Sequence, residues 1–382
     1  MNALIDEMIA FRRILHTYPE LSEQEIETSR RIQEKLAEWG IEYKVYDNHG
    51  IVAWIEGKPG KVIAFRADMD ALPIEEKTEL SYISKNPGVM HACGHDVHTA
   101  IHLFLLKKAK EAGEDFVGTM KVLFQPAEET IGGAQYMVKR GALENPRVDY
   151  ALGLHVAPQL LAGEVGLKGN AINAATGDLT LRVHGVSGHG AYPHLSVDAI
   201  VVSGYLITEI QSLISRRLSP VIPGVISLGS IKGGVKNNII SNYVEIKGTV
   251  RSMECSVMDE IEELLKRLCQ GLSLAHGARI EMELHRGFPA LINDCALHQR
   301  IIPIAKRILG DENVQEFEHP SMGADDFAYL SNEVPGSYYF LGTGIKGKKN
   351  HPIHHEKFEI DEKALEIGLK LQWNLYCELV KL

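Results

Sequence analysis

Eight consecutive residues, His91-Ala92-Cys93-Gly94-His95-Asp96-Val97-His98, bring together three imidazoles, a thiol and a carboxylate. Such density is costly unless something binds it. Metals take deprotonated sulfur, neutral imidazole and carboxylate, and this segment offers all three ahead of an apolar helix. The alternative is helix capping and local hydrogen bonding, which is the preferred reading for His98 and His102, spaced i to i+4 inside that helix.

Phe124-Gln125-Pro126-Ala127-Glu128-Glu129 sets two adjacent carboxylates directly after a buried-type strand. Neighbours in a loop can point different ways, so one can bind a metal while the other handles a proton. Alone, such a pair is usually a solvated helix start. Here Asp68 and Asp70 follow strand 62–65 and His155 follows strand 150–154, so each polar group falls at the carboxyl end of a predicted strand. Open α/β sheets place their ligands at that edge. His351-Pro352-Ile353-His354-His355-Glu356, after strand 338–341 and a loop, is placed to complete the same site. Cys93, His95, Glu129, His155 and one of His354 or His355 exceed the three or four ligands of a single ion. Two ions sharing a bridging ligand would use them all.

Two competing motifs are weaker. Gly342-Thr343-Gly344-Ile345-Lys346-Gly347 matches G-x-G-x-x-G, but Lys-Lys-Asn-His-Pro follows where a helix should open. Gly185-Val186-Ser187-Gly188-His189 carries His where a nucleophile elbow needs its second Gly.

The elements that must position these groups alternate. Helical spacing covers 3–17 up to Pro19, and a second helix is expected from Ser22, where Ser22 and Glu25 have capping-box spacing, to Gly40. Strands 51–55 and 62–65, helix 99–112, strand 120–124, helix 133–139 and strand 150–154 follow. This order predicts an α/β fold, a sheet covered by helices. From about Ala175 the pattern becomes strand 178–184, helix 197–217, strands 224–231 and 243–251, helix 256–275 and strand 279–285. That is β-α-β-β-α-β, a ferredoxin-like unit read as inserted. The expected domains are 1–174 (catalytic, first part), 175–287 (inserted) and 288–382 (catalytic, second part), the last with helix 295–309, strand 338–341 and helix 362–379.

Composition narrows the function. The 382 residues are 45% hydrophobic and 24% charged, with a net charge of −10 and no basic stripe interleaved with aromatics, which disfavours nucleic acid. Small-molecule chemistry is expected. Residues 199–215 are apolar but interrupted by Glu209 and followed by Arg216 and Arg217, a poor membrane span that reads as a buried helix. The start, MNALIDEMIAFRR, lacks the pattern of a signal peptide, and five scattered cysteines do not form a disulfide framework. A cytoplasmic protein with reduced thiols is the expectation.

At these residues the chain resembles the dinuclear-metal aminoacylase and carboxypeptidase family, in its branch of hippurate hydrolases, auxin-conjugate hydrolases and N-acetyl-diaminopimelate deacetylases. The motifs run in order from Arg13-Ile-Leu-His-Thr-Tyr-Pro-Glu through Arg66-Ala-Asp-Met-Asp-Ala-Leu-Pro, His91-Ala-Cys-Gly-His-Asp and Phe124-Gln-Pro-Ala-Glu-Glu to the His354 segment. The resemblance implies a lid in the inserted domain, which often carries a homodimer contact. It implies that Cys93 bridges two divalent ions, with Glu129 and His354 completing one site and His95 and His155 the other. Glu128 would be the general base, taking a proton from a water and passing it to the leaving amine, and Asp70 the carboxylate that orients a ligand or the base. Asp68 stands where many relatives outside this branch have a metal-binding His, whose part His95 would take. In the lid, His189 matches the residue that stabilises the developing oxyanion. Asn238 and Arg251 match positions that bind the substrate carboxylate, and Gly323 a wall of the pocket. Relatives usually have Pro where this chain has Ser241.

The implied activity is metal-dependent hydrolysis of the amide bond of N-acyl amino acids. The rivals are a dipeptidase or carboxypeptidase of the same fold and a non-catalytic metal-dependent binding protein, the latter disfavoured by the intact Glu128. Thiolate with imidazole favours zinc, with manganese, cobalt and nickel as alternatives.

Overall fold

A computed structural model describes residues 2–130 and 132–381, and the chain divides into two compact units. Unit 1 comprises Met1–Ile172, Ile292–Pro320 and Asp325–Leu382, and unit 2 comprises Asn173–Leu291 and Ser321–Ala324.

In unit 1 the apolar runs become strands of one mixed sheet, ordered Glu42–Val45, Ile51–Glu56, Val117–Gln125, Lys58–Asp68, Tyr150–Leu161, Gly336–Gly344, Val165–Leu167 and Val314–Glu316. Its centre is parallel: Lys58–Asp68 pairs with Val117–Gln125 on one side and Tyr150–Leu161 on the other, and Tyr150–Leu161 pairs with Gly336–Gly344. Central parallel strands are buried on both faces, which is why Ile63, Ala64, Phe65, Met120 and Val122 read as continuous apolar runs. Helix His95–Glu111 packs with Asn2–Thr17 and Lys363–Leu379, and it is buried nearly throughout its length.

Three expectations need correction. The second helix is Ile26–Glu38, and Glu25 makes no cap hydrogen bond. Its first turn is capped by Glu20, which accepts from Glu27 N–H at 3.1 Å and Thr28 N–H at 2.7 Å, so Ser22 and Glu25 face elsewhere. The helix expected at 99–112 begins at His95, so the polar cluster occupies its first turn. His155 lies inside Tyr150–Leu161, because parallel pairing with Gly336–Gly344 carries that strand beyond Leu154. Two residues on from the pair Arg66 and Gly153, His155 is level with Asp68, itself opposite Gln125.

Unit 2 has the order strand Ala175–His184, helix Ala199–Arg216, strands Gly224–Gly233 and Tyr243–Ser252, helix Cys255–His276 and strand Arg279–Arg286. The four strands form an antiparallel sheet in which Ala175–His184 lies between Tyr243–Ser252 and Arg279–Arg286. Leu179, Leu181 and Val183 face the two helices, and the opposite face is charged, with Arg182 2.7 Å from Glu283. Helix Ala199–Arg216 was expected to be buried, but only one side is: Val202, Leu206 and Ile210 enter the core while Ile200, Val201 and Tyr205 stay exposed. No helix among the described residues is long and apolar enough to cross a membrane.

Candidate metal centre

Gly94 separates the thiol from the first helical imidazole. Its φ is +79°, and a Cβ there would meet Val156 Cγ2 at 2.5 Å, so both conformation and space demand glycine. The turn lets side chains on either side of it converge. The donor atoms of Cys93, His95 and His155 lie within 4.8 Å of one another, with Cys93 Sγ 3.3 Å from His155 Nε2. A second trio, Cys93, Glu129 and His354, meets the same limit, and there His354 Nε2 stands 3.1 Å from Glu129 Oε1. Cys93 is common to both. His354 has a φ of +63° and donates its N–H to Ala92 O at 2.8 Å, tying its loop to the Cys93 segment. His355 stacks on His351 with ring centroids 4.3 Å apart and belongs to neither trio.

Hydrogen bonds assign the tautomers. His95 Nδ1–H donates to Asp70, and His155 Nδ1–H to Val156 O at 2.8 Å, leaving both Nε2 lone pairs for the centre. His98 uses both nitrogens inside the fold: Nδ1–H donates to Asp68 Oδ1 at 2.6 Å and Nε2 accepts from Val156 N–H at 2.9 Å. His102 does likewise, donating to His98 O at 2.7 Å and accepting from the Gln372 side-chain amide at 2.9 Å. Neither has a lone pair left for a metal.

The residues fit a pair of divalent cations. His95 Nε2 is shut off from solvent and makes no hydrogen bond, a costly state for a buried polar atom that a bound cation relieves. Electrostatics agree. Burial opposes charge on His95, yet the Asp68 carboxylate, the Cys93 sulfur and Asp70 push its pKa well up; surroundings that hold a proton so firmly also attract a metal ion. Burial, with Glu129 and Glu128 nearby, pushes the Cys93 thiol well up, so a thiolate there needs a cation beside it. Burial and the neighbouring His98 hold His155 down to about 4, keeping its ring neutral.

Glu128 adjoins this centre and a second acidic group. Its carboxylate comes within the same 4.8 Å of His95 and Glu129 on one hand and of Asp325 and Asp326 on the other. Burial, with Asp325, Asp326 and Glu129 around it, pushes its pKa well above the ordinary range. Arg66, fully buried, holds this region together: it pairs with Asp68, with Asp325 Oδ1 at 3.2 Å and with Asp326 Oδ1 at 2.7 Å, and donates to Gln125 Oε1 at 2.8 Å. Tyr338 Oη donates to Asp325 Oδ2 at 2.6 Å. Burial and Asp325 raise Asp326 to about 7 against the opposing Arg66. Arg66, Asp325, Asp326 and Tyr338 were not singled out from the sequence. The available signal was Arg66, a cation in the apolar second half of strand Lys58–Asp68.

His189, Asn238, Arg251 and Gly323 belong to unit 2. His189 pairs with Ile239 across a two-stranded ribbon, and Gly190 N–H donates to Asn238 O at 2.9 Å, so His189 and Asn238 are neighbours. Arg251 lies on Tyr243–Ser252 and donates to Val250 O at 3.0 Å. Gly323 accepts through its carbonyl from Ala174 N–H at 2.9 Å. Ser241 fixes its loop through hydrogen bonds, its Oγ donating to Tyr243 O at 2.8 Å and accepting from Gly234 N–H at 3.2 Å.

Comparison with known proteins places these features. Residues 64–375 match the model of peptidase family M20/M25/M40. The chain is 37% identical over 379 residues to an N-acetyl-L-cysteine deacetylase of Bacillus subtilis, covering 98% of this chain and 88% of the relative. Among solved structures, a protein described as an aminohydrolase from methicillin-resistant Staphylococcus aureus superposes with a TM-score of 0.94 at 38% identity, covering 100% of this chain and 98% of its own. A dinuclear metal-binding peptidase of the M20 family from Bacillus subtilis superposes with a TM-score of 0.84 at 30% identity, covering 100% and 99%.

Proposed function

Because the chain belongs to peptidase family M20/M25/M40 and is an amide-bond hydrolase, we propose that it deacylates N-acyl amino acids with two divalent ions per chain. The observation that carries this reading is Cys93, shared by two donor trios beside the buried Glu128. In the proposed arrangement Cys93, Glu129 and His354 hold one ion, and Cys93, His95 and His155 the other. The ions, when bound, lower the pKa of a water and polarise the substrate carbonyl. Glu128 takes the water's proton as its oxygen adds to the acyl carbon, then delivers it to the amine nitrogen as the C–N bond breaks. Burial beside Asp325, Asp326 and Glu129 raises the proton affinity of Glu128, the direction a proton acceptor needs. Asp70 orients His95, and Arg66 keeps Asp325 and Asp326 in place around Glu128.

Unit 2, with its ferredoxin-like order, is read as a lid and homodimer contact in which His189 stabilises the oxyanion, Asn238 and Arg251 receive the substrate carboxylate and Gly323 forms a wall of the pocket. Zinc suits the thiolate and imidazoles best. All five cysteines are free thiols, which fits a cytoplasmic site of action. The test is a hydrolysis screen in which each metal is restored to stripped enzyme. N-acetyl-cysteine, N-acetyl-diaminopimelate, hippurate and dipeptides serve as substrates. Faster turnover of N-acyl amino acids supports the reading, and faster turnover of dipeptides replaces it with a peptidase.

A further inference from the structure

The two residues with capping-box spacing, Ser22 and Glu25, both turn away from the helix they precede. Ser22 Oγ donates to Asp70 Oδ2 at 2.7 Å. Glu25 is fully buried, and its Oε1 accepts from Ala127 N–H at 2.7 Å, a bond spanning 102 residues of sequence. Its Oε2 is shut off from solvent with no hydrogen-bond partner. Ala127 has a φ of +55° and immediately precedes Glu128. Its carbonyl accepts from Gly132 and Gly133 N–H at 3.1 and 3.2 Å, so Ala127 is held through both of its main-chain polar groups.

We propose that Glu25 is a positioning residue for the proton-handling turn: its carboxyl holds Ala127 in the left-handed conformation and so aims Glu128 at the centre. This rests on the reading of Glu128 given above. A residue with a Cβ avoids positive φ because the side chain crowds the backbone, so Ala127 keeps this conformation only where its surroundings impose it. Without Glu25 the Ala127 N–H is a buried donor lacking its acceptor, and the turn gains by rotating to find another. Rotation at Ala127 carries Glu128 with it. Burial and the neighbouring Asp70 carboxylate push Glu25 up to about 8, so at neutral pH it is a neutral acceptor that adds no charge beside Asp70. The sequence diverts a side chain placed to cap a helix to this task, while Glu20 takes over the cap.

The test compares Glu25→Asp, Glu25→Ala and Glu25→Gln in metal-replete enzyme with the fastest substrate of the screen. Glu25→Asp, one methylene too short to reach Ala127, and Glu25→Ala are expected to lose about 10- to 100-fold in kcat, as for a displaced catalytic group, with KM and metal content nearly unchanged. Hydrogen exchange at the Ala127 amide should speed up in both. Glu25→Gln offers a carbonyl at the same reach, so it should keep the amide protected and recover kcat to within about threefold of wild type. Wild-type kcat in Glu25→Asp and Glu25→Ala overturns the proposal. So does a Glu25→Gln enzyme as slow as Glu25→Ala, or loss of metal in step with loss of rate. Wild-type turnover by Glu128→Gln overturns the underlying reading instead, and the two failures are told apart because Ala127 exchange reports Glu25 whatever Glu128 does.

Discussion

His95 Nδ1 is held by Asp70 through two oxygens, the main-chain carbonyl at 2.9 Å and Oδ1 at 3.1 Å. The bond keeps the proton on Nδ1 and presents Nε2 as the ligand atom. Asp70 is itself locked, since Oδ2 accepts from Ser22 Oγ and from Glu129 N–H at 3.0 Å. One carboxylate therefore orients two proposed ligands. Asp70→Ala is expected to weaken metal binding by about 10- to 100-fold, the usual loss when a partner of a ligating His is removed. Excess metal should restore most of the turnover. Chelator competition giving wild-type affinity would show that Asp70 does not act through the ligands.

Sharing of Cys93 predicts coupled sites. Saturated enzyme should contain about two ions per chain, because five ligands overfill one tetrahedral site. Cys93→Ser should weaken both together, since a neutral hydroxyl cannot replace a shared thiolate. Elemental analysis after dialysis checks this, and selective loss of one ion would show that Cys93 serves a single site.

The donors were legible in the sequence because they are short, dense and local: Cys93 and His95 flank one glycine, and Glu128 and Glu129 are adjacent. What was not legible depends on partners far away in sequence. Arg66 meets Asp325 and Asp326 about 260 residues later, and nothing near either aspartate marks it as buried. Helix His95–Glu111 begins before its apolar pattern does, because His95, Asp96 and His98 do not look like a buried face; specific bonds, such as Asp96 to Arg12 at 2.7 Å, bury them. The same rule ended a strand before His155. The short strands Glu42–Val45, Val165–Leu167 and Val314–Glu316, the first and last of them at the sheet's edges, show no period and form only through pairing.

His102 predicts how stability depends on pH. Burial holds its pKa down to about 3 in the folded chain, against an ordinary value of 6.5. Between these values the unfolded chain binds the extra proton, so stability is fully present above about pH 6.5 and is lost as pH falls toward 3. His102→Gln, which does not titrate, should show a shallower loss. Urea unfolding of metal-free protein at pH 7, 6, 5 and 4 checks this, and parallel curves for the two proteins would rule it out.

Arg251 is proposed to receive the substrate carboxylate, for which its planar fork is suited. Arg251→Ala should slow N-acyl amino acids by at least about 10-fold more than their amide analogues, since a lost charge-assisted bond is worth about 1.5–3 kcal/mol. An equal loss on both, with a lowered melting temperature, would assign Arg251 to folding.

The last prediction separates the two adjacent glutamates. Glu128 is buried against Asp325 and Asp326 as well as the metal donors, whereas Glu129 Oε1 faces His354 Nε2 at 3.1 Å in a trio with Cys93. The first arrangement favours proton transfer and the second favours a ligand. Glu128→Gln keeps the size and a hydrogen-bonding oxygen but cannot accept a proton, so turnover should fall by about 10²- to 10⁴-fold, the range for loss of a general base. Metal content should stay near two ions. Glu129→Gln should lower occupancy together with rate, because a neutral amide is a poorer ligand for a divalent cation than a carboxylate. Metal stoichiometry and kcat measured on both variants in one buffer decide the assignment. If Glu128→Gln loses metal while Glu129→Gln retains it, the roles are exchanged. Wild-type turnover by Glu128→Gln would remove it from the proton path, leaving its burial beside two aspartates to be explained by folding alone.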